Sequence, residues 1–280
     1  MTDRGKEREG AGGSRREREG DATNSLPLPP ASSRSLPITE TFLPGGVPRY
    51  EIPTWRSRFG VVAGITGGGF DLGLWTGEPV GEVMARWRAF RAAEPGFRGF
   101  VMAHQVHGAA VAWHEATDGW LIGSGLDGHL TAAAGTMLLV TVADCIPIYL
   151  VVPNERVVGL LHAGWRGTAA GILQRGLDAI CERLSVPPAD VVIHCGIGIC
   201  GDCYEVGSEV MRGCDVAHAG AAPWHLDLRA QLARAADDAG VTQLTMSTWC
   251  TAHHRPAFYS HRASGGSDGR MVAYLGYPLA

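Results

Sequence analysis

Ala143-Asp-Cys-Ile-Pro-Ile-Tyr-Leu-Val-Val-Pro-Asn-Glu-Arg-Val-Val-Gly-Leu-Leu-His-Ala-Gly-Trp-Arg-Gly167 is the stretch around which the chain is organised. The apolar run 136–142 before it reads as a buried strand that ends in the polar pair Asp144 and Cys145. A second apolar run, 157–161, ends in His162. The turn Pro153-Asn-Glu155 between the two halves predicts that neighbouring strands lie side by side. Beyond Gly167, Ile172, Leu173, Leu177, Ile180 and Leu184 recur at helical spacing, with Thr168 as the expected N-cap. A sheet holds the backbone rigid where a strand ends while the side chain leaves the packed interior. A thiol, Cys145, and an imidazole, His162, stand at two such ends. Gly164 and Gly167 leave the backbone beside His162 uncrowded, and Arg166 sits just before the expected helix start, where unpaired N–H groups favour an anion.

The chain has 280 residues, 45% of them hydrophobic, which is enough to bury a substantial core. Its net charge of −4 gives no general attraction to nucleic acid. No apolar run approaches the roughly 20 residues that a membrane-spanning helix needs. The charged N-terminus lacks the apolar segment of a signal peptide, and seven cysteines do not make a complete disulfide framework. A reducing, cytoplasmic location follows as the expectation. Residues 1–45 differ from the rest: Gly, Arg and Glu dominate up to Asp21, then Ser, Pro and Leu. Such a segment cannot bury enough surface to offset its ordering entropy, so 1–45 is expected to be a disordered extension and 46–280 the folded domain.

Residues 58–66 read as a strand, 82–92 as a helix, and 100–113 as two short strands broken near His107-Gly108. His104 and His107 lie on opposite faces of an extended chain, so only one can face a given site. Residues 118–131 read as a Gly-rich loop in which Asp127 is a turn former. Gly67-Gly-Gly69 lacks the spacing and the lysine of a phosphate loop. Residues 205–211 suggest a short helix. Residues 226–240 suggest an amphipathic one, with Leu228, Leu232 and Ala235 inward and Gly240 closing it. The segments 242–249, 258–261 and 271–277 read as the last strands. Without a strict βαβ rhythm the fold class is α+β, a single domain of mixed sheets flanked by helices.

Two sets of metal ligands compete. Cys200-x-x-Cys203 has zinc-finger spacing but lacks a second such pair, and Cys181, Cys195, Cys214 and Cys250 are irregularly placed. Most of these thiols then read as small buried apolar residues. Cys145 and His162 with one further histidine would instead leave the fourth position of a tetrahedral zinc open, the catalytic pattern. The same residues fit a Cys–His nucleophilic pair. From the residues alone, metal site, thiol hydrolase and coincidence stay open.

Gln105-Val-His-Gly108, Ala143-Asp-Cys-Ile-Pro147, His162-Ala-Gly-Trp-Arg-Gly167, Cys203-Tyr-Glu-Val-Gly207 and Cys250-Thr251 stand in the order seen in the YfiH family. The chain resembles that family, also called the laccase-domain or multicopper polyphenol oxidoreductase family, over about residues 55–280. The resemblance implies a single domain of mixed sheets between helices, with the metal ligands at His107, Cys145 and His162. It implies zinc, and phosphorolysis of adenosine, inosine and methylthioadenosine with some deamination of adenosine. The alternatives it carries are a copper polyphenol oxidase and a peptidoglycan-editing factor acting on cell-wall precursors. Asp144, beside Cys145, becomes a candidate proton carrier. Arg166 and Arg262 become candidate phosphate ligands, so the expected partners are a purine nucleoside and phosphate, with no nucleic acid or membrane and no oligomeric state indicated. The chain departs from the family where Gly196-Ile-Gly-Ile-Cys-Gly-Asp-Cys-Tyr204 lacks a proline and displaces one cysteine, and where Ser260-His-Arg-Ala263 lacks a second arginine.

Overall fold

The computed structural model describes residues 35–280. Its strands are β1 (Ser35–Ile38), β2 (Thr41–Leu43), β3 (Arg49–Glu51), β4 (Val62–Thr66), β5 (Gly99–His104), β6 (Val111–His114), β7 (Gly119–Ser124), β8 (Gly128–Thr131), β9 (Thr136–Val142), β10 (Ile146–Val152), β11 (Val157–Ala163), β12 (Val192–Cys195), β13 (Glu205–Val206), β14 (Trp224–His225), β15 (Gln243–Ser247) and β16 (Met271–Gly276). The helices are α1 (Trp55–Phe59), α2 (Val80–Ala92), α3 (Trp165–Ala169), α4 (Ile172–Leu184), α5 (Ser208–Gly213) and α6 (Leu228–Asp238). Two seven-stranded mixed sheets result, ordered β1-β15-β12-β10-β11-β8-β6 and β2-β3-β4-β16-β9-β5-β7.

Side chains alternate across a strand, and here both faces of the central strands are apolar. In β10 and β11, Tyr149, Val151 and Leu160 meet Leu138 and Val140 of β9 and Leu275 of β16, so the two sheets pack face to face. The alternate residues Ile148, Leu150 and Leu161 pack outward against Leu173, Leu177 and Ile180 of α4 and Leu228 and Leu232 of α6. On the far side, Leu139 and Tyr274 pack against Val83, Trp87 and Phe90 of α2. The order is therefore helix, sheet, sheet, helix. Each fully buried large apolar side chain contributes about 1.5–3 kcal/mol. This is the single-domain α+β arrangement expected from the sequence.

The topology brings the site together. β5 runs parallel to both β7 and β9, so the C-terminal ends of these three strands share one edge of the second sheet. From each of these ends the chain crosses to the first sheet, into β6, β8 and β10 respectively. The three crossings carry His107, Asp127 and Cys145. β11 is antiparallel to β8 and β10, with His162 opposite Pro147 and Leu161 opposite Gly128, so its C-terminal end meets the same crossings.

Several expectations need correction. Residues 35–43 are strand rather than disordered extension: β1 pairs with β15 and β2 with β3. Residues 1–34 lie outside the described residues. Their neighbour Glu40 is buried, its carboxylate held by His194 Nε2 at 3.0 Å and Ser247 Oγ at 2.7 Å. A lone buried acid in a polar segment leaves no periodic trace in the sequence. Glu40→Ala strips His194 of its buried partner and is expected to cost about 2–4 kcal/mol, read as a shift in the urea midpoint with unchanged slope.

The Gly-rich 118–131 segment contains β7 and β8. β7 is an edge strand whose apolar residues Leu121 and Ile122 face solvent, so it lacks the alternation of a half-buried strand. Residues 55–59 are helical, and the strand begins only after Gly60, whose φ of 72° closes that helix. Residues 258–261 form turns rather than a strand. Thr168 is not an N-cap: α3 starts at Trp165, and α4 starts after Gly171. In α6, Ala233 and Ala236 are buried with Leu228 and Leu232, and Ala235 is partly buried against the same core. Among the described residues, no helix is long and apolar enough to cross a membrane.

Candidate metal centre

The Gln105-Val-His-Gly108 turn is held from both sides. The Gln105 amide exchanges hydrogen bonds with β9: its Oε1 accepts from Thr141 N at 2.7 Å and its Nε2 donates to Thr141 O at 2.9 Å. The next three backbone N–H groups, of Val106, His107 and Gly108, all donate to the Asp127 carboxylate at 3.1, 3.0 and 2.8 Å. Convergence of this kind requires His107 in the left-handed region, at φ 58°. Asp127 is completely buried, and its Oδ1 also takes His162 Nδ1 at 2.8 Å. The carboxyl stays below the usual carboxylate range: burial pushes it up, but the His162 hydrogen bond and the Gly108 and Val106 N–H groups together outweigh burial.

With Nδ1 bound to Asp127, His162 presents Nε2 to Cys145. The His107 and His162 rings lie 4.9 Å apart, and one donor atom each from His107, Cys145 and His162 all fall within 4.8 Å of one another. The structure thus brings together the three side chains that the resemblance implies as metal ligands. A thiolate, two imidazoles and a carboxylate that fixes one imidazole's tautomer form a donor set suited to zinc with an open fourth position. The two motif glycines make the fit: a Cβ on Gly164 would sit 3.0 Å from Cys145 Sγ and 3.2 Å from His107 Cδ2, and one on Gly167 would sit 2.8 Å from the Gly108 carbonyl.

Cys145 and His162 shift each other toward thiolate and imidazolium. Burial raises the Cys145 thiol, but the charge of His162 and hydrogen bonds from His107 and His162 bring it down to about 6. Burial likewise lowers His162, while the Cys145 thiolate and Asp127 carry it up to about 9. Between those values only His162 has a proton to lose. Zinc binding is therefore expected to release about one proton from this pair near neutral pH, about two below Cys145's value and none above His162's. Affinity should climb about tenfold per pH unit in the middle window and level off above it. Calorimetric titration in buffers of different ionisation enthalpy measures the proton count. A pH-independent affinity would show that the pair does not bind the metal.

Above the triad opens a cavity of about 510 Å³. Asp144, Arg166 and Arg262 all line it, as do Trp75, Trp165 and Tyr204. Both Asp144 oxygens are engaged: Oδ1 accepts from Thr251 Oγ1 at 2.6 Å and Oδ2 from Arg262 N at 2.7 Å. Asp144 is buried and held at φ 95°, at the point where the chain leaves one sheet for the other. Arg166 is exposed and loosely paired with Glu209 at 3.8 Å. It belongs to a helix of only five residues, so the expected support from a helix N-terminus is small. The Arg262 guanidinium donates to the Glu205 carbonyl and lies 5.1 Å over the Tyr204 ring. His104 also reaches the cavity, its ring tilted against Trp75 with centroids 4.8 Å apart, but stays outside the triad.

Sequence reasoning missed Asp127 as more than a turn former, Thr251 as the partner of Asp144, and Arg270 as a further cation on the cavity wall. Asp127 stands between Gly125 and Gly128 just before a short strand, and an acid there carries no sign of its buried partners. Cys200 and Cys203 do not line the cavity.

A family model described as multi-copper polyphenol oxidoreductase laccase matches residues 54–277. A purine nucleoside phosphorylase of Deinococcus radiodurans is 34% identical over 242 residues, 82% of this chain and 91% of that protein. Adenosine deaminase RL5, from an unidentified prokaryote, is 32% identical over 158 residues, 52% of this chain and 60% of that protein. The crystal structure of Bacillus licheniformis hypothetical protein YfiH superposes with a TM-score of 0.76 at 25% identity, covering 85% of this chain and 99% of that one.

Proposed function

We propose that this chain, which belongs to the multi-copper polyphenol oxidoreductase laccase family, is a zinc-dependent purine nucleoside enzyme of the cytoplasm. Its main reaction in this reading is phosphorolysis of adenosine, inosine and methylthioadenosine, with hydrolytic deamination of adenosine as the second. The observation that carries the reading is a single cavity joining three kinds of group: the His107, Cys145 and His162 donors, three arginines, and three large aromatic rings. The similarity to proteins named purine nucleoside phosphorylase and adenosine deaminase supports the same reading.

In phosphorolysis a phosphate oxygen bonds to C1′ of the ribose as the C1′–N9 bond breaks, and the bond's electrons leave with the purine. Positive charge develops on the sugar while a multiply charged anion approaches. Arg166, only loosely paired with Glu209, is available to that anion, and Arg262 and Arg270 add positive charge on the same wall. Trp75, Trp165 and Tyr204 offer faces on which a purine can stack. Asp144, with both oxygens committed, acts in this scheme as a positioning residue that holds the backbone of Arg262 rather than as a proton carrier. Asp127 holds the tautomer of His162 and the turn that presents His107. Zinc held by His107, Cys145 and His162 would supply Lewis acidity toward one further ligand in the cavity.

The test is metal analysis of the purified protein together with chromatography of adenosine incubated with and without phosphate. Adenine that appears only with phosphate supports phosphorolysis, and inosine formed without phosphate supports deamination. Copper in place of zinc, no nucleoside turnover, and oxygen uptake with a phenol would overturn the proposal in favour of an oxidase. Zinc without turnover of either kind would point to the cell-wall reading.

A further inference from the structure

The structure holds a second convergence of metal-ligating groups that the reaction above does not use. Cys200, Cys203, Cys250 and His253 each turn one donor atom inward, all within 4.8 Å of one another. Among the described residues, this and the triad are the metal-capable clusters of His, Cys and acidic side chains. His253 Nε2 lies 3.1 Å from Cys203 Sγ, and its Nδ1 lies 3.7 Å from Cys200 Sγ. The neighbouring His254 is excluded because its ring is tied to the Cys250 backbone, 2.9 Å from the carbonyl oxygen and 3.1 Å from the amide nitrogen. In the sequence, Cys200-x-x-Cys203 lacks a second Cys-x-x-Cys pair; the fold supplies a partner pair as Cys250-x-x-His253.

We infer that these residues form a closed Cys₃His zinc site that braces the wall of the catalytic cavity. Zinc with three thiolates at about 2.3 Å and one imidazole at about 2.0 Å needs donor atoms roughly 3.5–3.8 Å apart, a small contraction of the cluster seen here. Four protein ligands leave no open position, which marks a structural rather than a catalytic centre. The backbone is already shaped for it. A tight turn over Gly201–Cys203 brings the first two thiols together, and Cys200 N donates to Cys250 Sγ at 3.3 Å. A disulfide between Cys200 and Cys203 would use two of the four groups and leave Cys250 and His253 converging on nothing.

The site is placed where a clamp would matter. It ties the segment after β12 to the segment after β15, which otherwise meet through the Gly198–Cys250 bridge and the Thr251 N to Gly198 O bond of 3.1 Å. Tyr204, directly after Cys203, lines the cavity under Arg262. Thr251, directly after Cys250, holds Asp144 beside Cys145. A metal here would fix both contacts at once without touching a substrate.

Elemental analysis of the full chain, purified without added metal, tests this independently of any turnover. About two equivalents of zinc per chain are expected, falling to about one in His107→Ala and to about one in Cys203→Ser. His107→Ala loaded with cobalt(II) should show the thiolate charge-transfer absorption of a tetrahedral, three-thiolate centre, and a chelator that strips it should lower the melting temperature. These measurements stand even if Cys203→Ser does not fold. About one zinc in the wild-type chain, lost entirely in His107→Ala, would overturn the inference. A Cys200–Cys203 disulfide found by mass spectrometry of the protein alkylated on isolation, or copper(I) in place of zinc in His107→Ala, would also overturn it.

Discussion

Cys145→Ala is expected to remove zinc from the cavity and cut nucleoside turnover by about 10³-fold or more, while the protein stays folded. Cys145 supplies the one negatively charged donor of the triad. Without it, two imidazoles face a divalent cation with no opposing charge. The proposed metal contributes several kcal/mol to the transition state, and each 1.36 kcal/mol is a tenfold change in rate. The thiol is half-buried beside the cavity rather than in the packed core, so the fold should survive its removal, at the cost of the pairing with His162. His162 then loses the thiolate that raises its pKa, and the proton released on metal addition should fall away with the affinity. Elemental analysis, chromatographic assay and circular dichroism on one preparation read all three effects. A variant that keeps its metal and its turnover would remove Cys145 from the site.

Asp127→Asn is expected to lower zinc affinity 10- to 100-fold and to destabilise the chain by about 2–4 kcal/mol. The carboxylate takes four N–H donors with its two oxygens: three from the backbone of residues 106–108 and one from His162. An amide has a single oxygen and brings two N–H groups of its own, so in a fully buried site at least one donor must face another donor. Either His107 is presented in a different place or His162 turns its ring. The two effects separate the roles. Competition with a chromophoric chelator reports the affinity, and urea unfolding reports the stability. Stability lost with affinity unchanged would make Asp127 a brace of the turn alone. Affinity lost at the expected scale would show that it orients the ligands as well.

Much of this molecule can be read from its residues, because the informative signals are local. Continuous apolar runs mark β9, β10 and β11, and apolar residues at helical spacing mark the face of α4. The Asp-Cys and His-Ala-Gly-Trp-Arg-Gly motifs place a thiol and an imidazole at strand ends, and the resemblance they carry picks His107 over His104. The choice between those two histidines does not follow from spacing. It depends on the αL turn at His107, which exists because three N–H groups find Asp127 across a crossing between the sheets.

By itself, then, the sequence determined the class of fold, the buried strands around the site and the strand-end positions of Cys145 and His162, because periodicity and motif are properties of short stretches, while His107 came from the resemblance to the family. Only the tertiary structure decided what those stretches face. Crossings from parallel neighbours β5, β7 and β9 set His107, Asp127 and Cys145 side by side, although each lies on a separate segment. The same physics ordered β1, whose weak pattern is offset by its partner β15 from the far end of the chain and by the neighbouring buried Glu40. It also joined Cys200 and Cys203 to Cys250 and His253. Contacts of that kind are set by sheet order and chain crossing, and a polar or sulfur-bearing residue carries no mark of a partner it meets only after the sheets have packed.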